Sequence, residues 1–184
     1  MVFGCGTIGI AAATAFKHFG MDKVMMCDHS DFRLKLAAKL GFETCNPAKG
    51  DFASHAETYF GTAHSLNGKT ANIDCWLDAA GAESILTDFQ HLGKIESRFV
   101  SVAVNNAPRT IDLLHMTYAQ QSIIGSGGYM PEDVWDVQEI MSCGKWDLEP
   151  IITHEFSLDE LAKAIRTACN VDHAGNVVIK MAKK

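Results

Sequence analysis

Eight residues at the start of the chain, Val2-Phe3-Gly4-Cys5-Gly6-Thr7-Ile8-Gly9, limit the possible folds more than any other stretch. An apolar fragment runs straight into G-x-G-x-x-G, and a small-residue helix follows from Ile10 through Phe16. Each glycine answers a separate steric demand. Gly4 permits a tight strand-to-helix turn, Gly6 lets another molecule approach the backbone, and Gly9 lets the helix pack close to the strand. The free N–H groups of the first helical turn, near Thr7, Ile8 and Gly9, then point outward at the positive end of the helix dipole, which suits an anion. The dipole alone contributes only about 0.3–1 kcal/mol, so shape and several hydrogen bonds must supply the rest.

A glycine pattern this short arises by chance, and its surroundings decide its meaning. Lys23-Val24-Met25-Met26-Cys27-Asp28 reads as a second buried strand ending in an acid, about 20 residues past Gly9. A dinucleotide fold places there the carboxylate that accepts hydrogen bonds from the adenosine ribose. The same carboxylate repels a 2′-phosphate, so Asp28 favours NAD over NADP. Arg33, five positions later, could serve the ribose or accept a phosphate.

Strands and helices alternate as far as Gly144. Strands are expected at 2–4, 23–28, 42–45, 73–78, 99–104 and 122–125. Helices are expected from Ile10 to Phe19, Phe32 to Leu40, Asp51 to Leu66, Ala82 to Leu92 and from Pro131 onward; Ile111 to Ala119 is apolar and ambiguous. Phe32, Leu36, Ala37 and Leu40 are expected to form one buried helix face. The alternation predicts an α/β protein with a doubly wound, six-stranded parallel sheet and right-handed crossovers. Ser157-x-x-Glu160 is a capping box, opening a helix that carries Leu158, Leu161, Ala162 and Ile165 on one side and precedes a terminal strand at 176–181. The first strand is short for a central position, which predicts either a truncated strand or a chain that continues upstream.

Composition excludes several classes. With 184 residues, 47% hydrophobic and 21% charged, the chain supports a full core. A net charge of −6 argues against nucleic acid and anionic membranes. No run of ~18 apolar residues occurs and nothing resembles a charged-then-apolar signal peptide, so a cytoplasmic protein is expected. Its six cysteines lack C-x-x-C spacing and are expected to be buried and reduced.

Several local patterns agree with one family. Val2 to Gly9, Cys27-Asp28, Arg33, Leu77-Asp78-Ala79-Ala80-Gly81, Ile123-Ile124-Gly125-Ser126 and the segment Pro150 to Glu160 together resemble the C-terminal part of medium-chain, zinc-dependent alcohol and polyol dehydrogenases. The resemblance implies a Rossmann domain over residues 1–148 and a segment, 149–184, that returns to a catalytic domain. It implies NAD as cofactor. The binding set it implies is Gly4, Gly6, Thr7, Ile8, Gly9, Asp28, His29, Arg33, Ala79, Ala80, Gly81, Val102, Val104 and Ser126. Ala79 to Gly81 would border the adenine side, while Val102, Val104 and Ser126 would lie toward the nicotinamide. Lys94 to Arg98 reads as a few extra residues, and Val102-Ala103-Val104 lacks a glycine often found there in the family.

In that family the zinc ligands precede the glycine turn, so zinc is expected in a missing N-terminal half. The eight histidines here form no H-x-x-x-H pair and no His/Cys cluster with ligand spacing. The chain is therefore expected to bind NAD without catalysing the reaction alone, and to associate with a second copy through the sixth-strand edge or other exposed apolar surface. A stand-alone NAD-sensing or non-catalytic module is the rival reading, and a zinc-free reductase relative a third. The three tryptophans, Trp76, Trp135 and Trp146, are spread over separate elements and point to core or interface packing.

Overall fold

A computed structural model describes residues 1–181. Ten strands and seven α-helices run in this order: β1 (Val2–Phe3), α1 (Thr7–His18), β2 (Met25–Cys27), α2 (Asp31–Lys39), β3 (Glu43–Cys45), α3 (Phe52–Phe60), β4 (Thr62–Ser65), β5 (Gly68–Ala71), β6 (Cys75–Asp78), α4 (Glu83–Leu92), β7 (Arg98–Ser101), α5 (Leu113–Ala119), β8 (Ser122–Gly125), α6 (Pro131–Ser142), β9 (Ile152–Ser157), α7 (Leu161–Ala168) and β10 (Asn176–Lys180). Six of these strands form one sheet in the order β3-β2-β1-β6-β7-β8. Every pair in it is parallel. The chain winds outward from β1 to β3 and then returns to the other side of β1. That reversal opens a crevice at the carboxyl ends of β1 and β6.

The pleat sorts the core into two layers, because successive side chains on a strand face opposite ways. Val2, Met26 and Leu77 face α1 and α2, against Ile10, Ala13, Leu34 and Ala37. Phe3, Met25 and Trp76 face α3 and α4, against Ala56, Ile85 and Phe89. Phe3 stacks on Trp76 with ring centroids 5.4 Å apart, and Trp76 meets Phe89 edge-on at 5.9 Å. Phe89 is 0% exposed. Truncating it to alanine removes the contact and leaves a cavity, at a cost of about 3–5 kcal/mol.

Local chemistry sets the element ends. The Ser30 hydroxyl accepts from the Arg33 amide at 3.4 Å and starts α2. Asp112 does the same for α5 through His115 N at 3.0 Å, which resolves the ambiguous stretch as a helix. At the capping box, Ser157 N donates to Glu160 Oε2 at 3.4 Å.

Some expectations are corrected. The helix expected over 51–66 ends at Phe60, because Gly61 takes φ +87°. Residues 62–71 then form an antiparallel hairpin turning at Leu66-Asn67. The strand expected to reach Val104 stops at Ser101, since the Asp78 carbonyl draws both Val102 N and Ala103 N at 3.0 Å and turns the chain out of the ladder. On α2 the buried residues are Leu34, Leu36 and Ala37, with Phe32 and Leu40 half-buried. Of the cysteines, Cys5, Cys27 and Cys45 are buried, whereas Cys143 and Cys169 are exposed.

Trp76 is a core residue, Trp135 is 69% exposed, and Trp146 donates its indole N–H to His18 Nδ1 at 3.3 Å. The C-terminal part holds a strand the sequence reading lacked, β9, which pairs in parallel with β10 outside the main sheet. Leu158, Leu161 and Ile165 face outward from this part, and Ala164 packs inward. Among the described residues no helix is long and apolar enough to cross a membrane.

Candidate functional site

The glycine loop sits where β1 meets its two neighbours. Phe3 is in register with Cys27 on one side and with Asp78 on the other. The chain emerging at Gly4 is therefore flanked by Asp28 and by Ala79. Gly4 N donates to the Cys27 carbonyl at 2.7 Å, and Ala79 N donates to the Phe3 carbonyl at 2.8 Å.

Gly4 has φ +100°, and a Cβ there would also meet the Ala79 carbonyl carbon at 3.0 Å. At Gly9 a Cβ would stand 1.8 Å from the Gly4 carbonyl oxygen. Only glycine lets the helix begin this close to the strand. Gly6 caps α1 without a side chain, and its carbonyl takes the Ile10 amide at 2.9 Å. The amides of Thr7, Ile8 and Gly9 precede that first intrahelical bond, as in any helix start. Thr7 and Ile8 are exposed and Gly9 is buried.

Asp28 faces this loop directly. Its Oδ2 accepts from Cys5 N at 2.7 Å and its Oδ1 from Ser30 N at 2.8 Å. The carboxylate thus joins the glycine turn to the start of α2 and keeps lone pairs for further donors. Arg33 lies across the same turn: a Cβ on Gly6 would come within 3.7 Å of its Nη1. Its Nε is buried with no hydrogen-bond partner among the described residues. A buried guanidinium N–H left in this way is costly, and it calls for an acceptor on the cleft side.

A cleft of about 380 Å³ opens here. Gly4, Gly6, Asp28, His29, Arg33, Ala79 and Ala80 all line it. Gly81 adjoins it through Asp78, a 4% exposed carboxylate whose Oδ1 accepts from Ala80 N at 2.9 Å and Gly81 N at 2.7 Å. Val102, Val104 and Ser126 lie outside the cleft lining, at the far side of the sheet's carboxyl edge. Val102 is half-buried beside β7, Val104 is 92% exposed, and Ser126 N donates to the Ser101 carbonyl at 2.9 Å.

Other wall residues escaped the sequence reading. Phe52, Pro47, Ile85 and Asp88 form an apolar slot with one acid beyond Asp28. They come from three separate elements, so no local spacing marks them. Asp78 was legible in principle: an Asp at a strand end before Ala-Ala-Gly is an Asx-turn signal. Val171 closes one side, held by Ser30 Oγ donating to its carbonyl at 3.0 Å. Burial raises the Asp88 carboxyl above the usual carboxylate range, against a smaller opposing pull from His91.

Comparison with known proteins identifies the family. The zinc-binding dehydrogenase profile matches residues 7–142. This chain belongs to the zinc-binding dehydrogenase family. It is 28% identical to L-threonine 3-dehydrogenase of Escherichia coli O157:H7 over 184 residues, which is 97% of this chain and 50% of that protein. The chain thus spans about half the length of the curated relatives it matches. Among solved structures it superposes on an alcohol dehydrogenase from Escherichia coli CFT073 complexed with NADH (TM-score 0.80, 22% identity), covering 98% of this chain and 51% of the other. It also superposes on a Sinorhizobium meliloti zinc-binding dehydrogenase bound to NADP (TM-score 0.74, 20% identity), covering 97% and 51%. These structural likenesses establish the six-stranded doubly wound fold.

Proposed function

We propose that this chain is the NAD(H)-holding half of a zinc-type alcohol or polyol dehydrogenase, non-catalytic by itself. The observation that carries the reading is the Asp28 carboxylate fixed 2.7 Å from Cys5 N at the mouth of the glycine loop. Anionic oxygens of the cofactor diphosphate would meet the amides of Thr7, Ile8 and Gly9. Asp28 would accept the ribose hydroxyls, and its charge would disfavour a 2′-phosphate, so NAD is the cofactor assigned rather than NADP. Arg33 Nε supplies a donor on the same side, His29 borders the ribose, and the Ala79–Gly81 turn with Phe52 and Ile85 forms the adenine wall. Val102, Val104 and Ser126 extend the track toward the nicotinamide. When bound, NAD(H) supplies hydride-transfer chemistry. The part of this chain is to hold and orient the cofactor.

Zinc does not fit the described residues, because no group of three or more His, Cys, Asp or Glu side chains among them is placed to hold a metal ion. We assign the metal and the choice of alcohol to a partner segment. The cysteines, all unpaired, suit a reducing cytoplasm. The β8 edge and the exposed apolar side chains of α6 support a homo-oligomer.

Fluorescence titration with NADH, followed by an alcohol-oxidation assay with and without zinc, tests the reading. Micromolar-range binding without turnover is expected. Absence of binding overturns the cofactor assignment, and measurable turnover overturns the non-catalytic one.

A further inference from the structure

Beneath α3, on the opposite face of the sheet from α1, four reactive side chains meet that the cofactor reading does not use. Cys27 and Cys45 close β2 and β3 as in-register neighbours and share one apolar layer. Adjacent strands lie about 4.8 Å apart, within the Cα separation of about 4.4–6.8 Å that a disulfide spans. Glu43, two residues before Cys45 on β3, projects to the same face. His55 comes down from α3 with Nε2 2.8 Å from Glu43 Oε1, two residues along β3 from Cys45 on the same face.

The order is thiol, imidazole, carboxylate: a nucleophile, its base, and the group that orients the base. The neighbouring Cys27 thiol holds the Cys45 thiol below the ordinary cysteine range against the opposing effect of burial, with a smaller lowering from His55. The same contact and burial push Cys27 up. Cys45 shares its strand face with Glu43, the anchor of the imidazole, and Cys27 stands beside it on the next strand. Cys27 also forms part of the cleft wall, and the His55 side chain is 38% exposed.

We propose that Cys27 and Cys45 are a redox-active dithiol that hydrogen peroxide, or a small organic hydroperoxide, converts to a disulfide, with Cys45 as the attacking sulfur and Cys27 as the resolving one. In the first step His55 takes the Cys45 proton and the sulfur attacks one peroxide oxygen. The O–O bond breaks, and the departing hydroxide leaves as water with the proton held on the imidazole. Cys45 is then a sulfenic acid. In the second step the Cys27 sulfur displaces the sulfenic hydroxyl, which departs as a second water carrying the Cys27 proton. Two thiols have lost two electrons and the peroxide has gained them. The new bond lies one residue from Asp28, whose amide donates to the Cys45 carbonyl at 3.3 Å.

The test uses the full chain carrying Cys143→Ser and Cys169→Ser, which removes the two exposed thiols. The protein is exposed to stoichiometric hydrogen peroxide, its remaining thiols are blocked with N-ethylmaleimide, and non-reduced peptides are analysed by mass spectrometry. A Cys27–Cys45 linked pair, reversed by dithiothreitol and absent in Cys45→Ser, is expected as the main product. His55→Gln is expected to slow its formation roughly 100-fold, the lower end of what a positioned base contributes, with the thermal unfolding curve unchanged. Should that variant fail to fold, Glu43→Gln keeps the imidazole and serves in its place, with the same direction expected. Cys27 and Cys45 persisting as thiols while Cys5 or Cys75 oxidises overturns the proposal. So does a linkage rate indifferent to both His55 and Glu43.

Discussion

Oδ2 of Asp28 lies 2.7 Å from the backbone nitrogen of Cys5, so the acid at the end of β2 holds the middle of the glycine turn in place. One carboxylate therefore shapes the loop and offers its remaining lone pairs to a ligand. Asp28→Ser removes both contributions. A hydrogen bond to a charged group contributes about 1.5–3 kcal/mol, which corresponds to a loss of roughly 10- to 100-fold in NADH affinity. NADPH binding falls less, and the NADH-to-NADPH ratio of dissociation constants, measured by fluorescence titration, moves toward NADPH. An unchanged ratio would falsify the assignment of Asp28 as the discriminating residue.

Gly9→Ala places a methyl 1.8 Å from the Gly4 carbonyl oxygen, in the same peptide group as the Cys5 amide that Asp28 holds. The expected cost is at least about 3 kcal/mol, the upper end of ordinary overpacking. A loss of no less than ~6 °C in Tm follows for a chain of this size. Circular dichroism melts check it; a melt within a degree of the parent would mean the helix does not start this close to the strand.

Asp78 ties down the other rim of the cleft. Asp78→Ala leaves the Ala80 and Gly81 amides without their acceptor, at about 2–4 kcal/mol for two such losses. Asp78→Asn keeps Oδ1 and should recover most of that stability. Equal destabilisation by both variants in urea unfolding would assign the effect to lost charge rather than to the lost acceptor.

Asp88 gives the fold a pH dependence of definite sign. Its folded-state pKa lies above the unfolded value because of burial, so the folded chain binds more protons between the two. Its contribution is complete below the unfolded value of about 3.9 and is lost as pH rises through the folded one. Asp88→Asn is expected to raise Tm at pH 7 by about 1–2 °C, the scale of a modest surface change. The gain disappears near pH 4. A gain that persists at pH 4 would point to packing instead of ionisation.

The outer edge of β8 pairs with nothing among the described residues, and Ile124 on this strand is 45% exposed. Unpaired apolar edges recruit further strands. Size-exclusion chromatography with light scattering is expected to show a dimer or larger, and Ile124→Lys to shift it toward monomer. A parent chain that is cleanly monomeric removes this edge as an interface.

The sheet was legible in the sequence because its signals are local. Gly4, Gly6 and Gly9 have fixed spacing, Asp28 ends an apolar run, and Ser30 and Ser157 open their helical segments as caps. The hairpin at 62–71 was hidden because Thr62 to Ser65 continues the composition of α3, and only the backbone sign at Gly61 separates them. The outer wall of the cleft was hidden for a different reason. Pro47, Phe52, Ile85 and Val171 converge only through topology, and each looks like ordinary packing in its own neighbourhood. Val104 was misjudged as strand because its apolar run carries on past Ser101, whereas a carbonyl at Asp78 ends the ladder there.

Val171 and Asn176 reach back across most of the polypeptide: Ser30 Oγ grips the carbonyl of the first, and Thr7 Oγ1 the side chain of the second at 2.7 Å. Synthesis proceeds from the N-terminus, so the glycine loop and Asp28 leave the ribosome long before the piece that walls them in. Without the residues past Gly144, the same loop and carboxylate would stand in a trough open on the Val171 side. A cleft walled on both flanks therefore needs residues 171–176 in place.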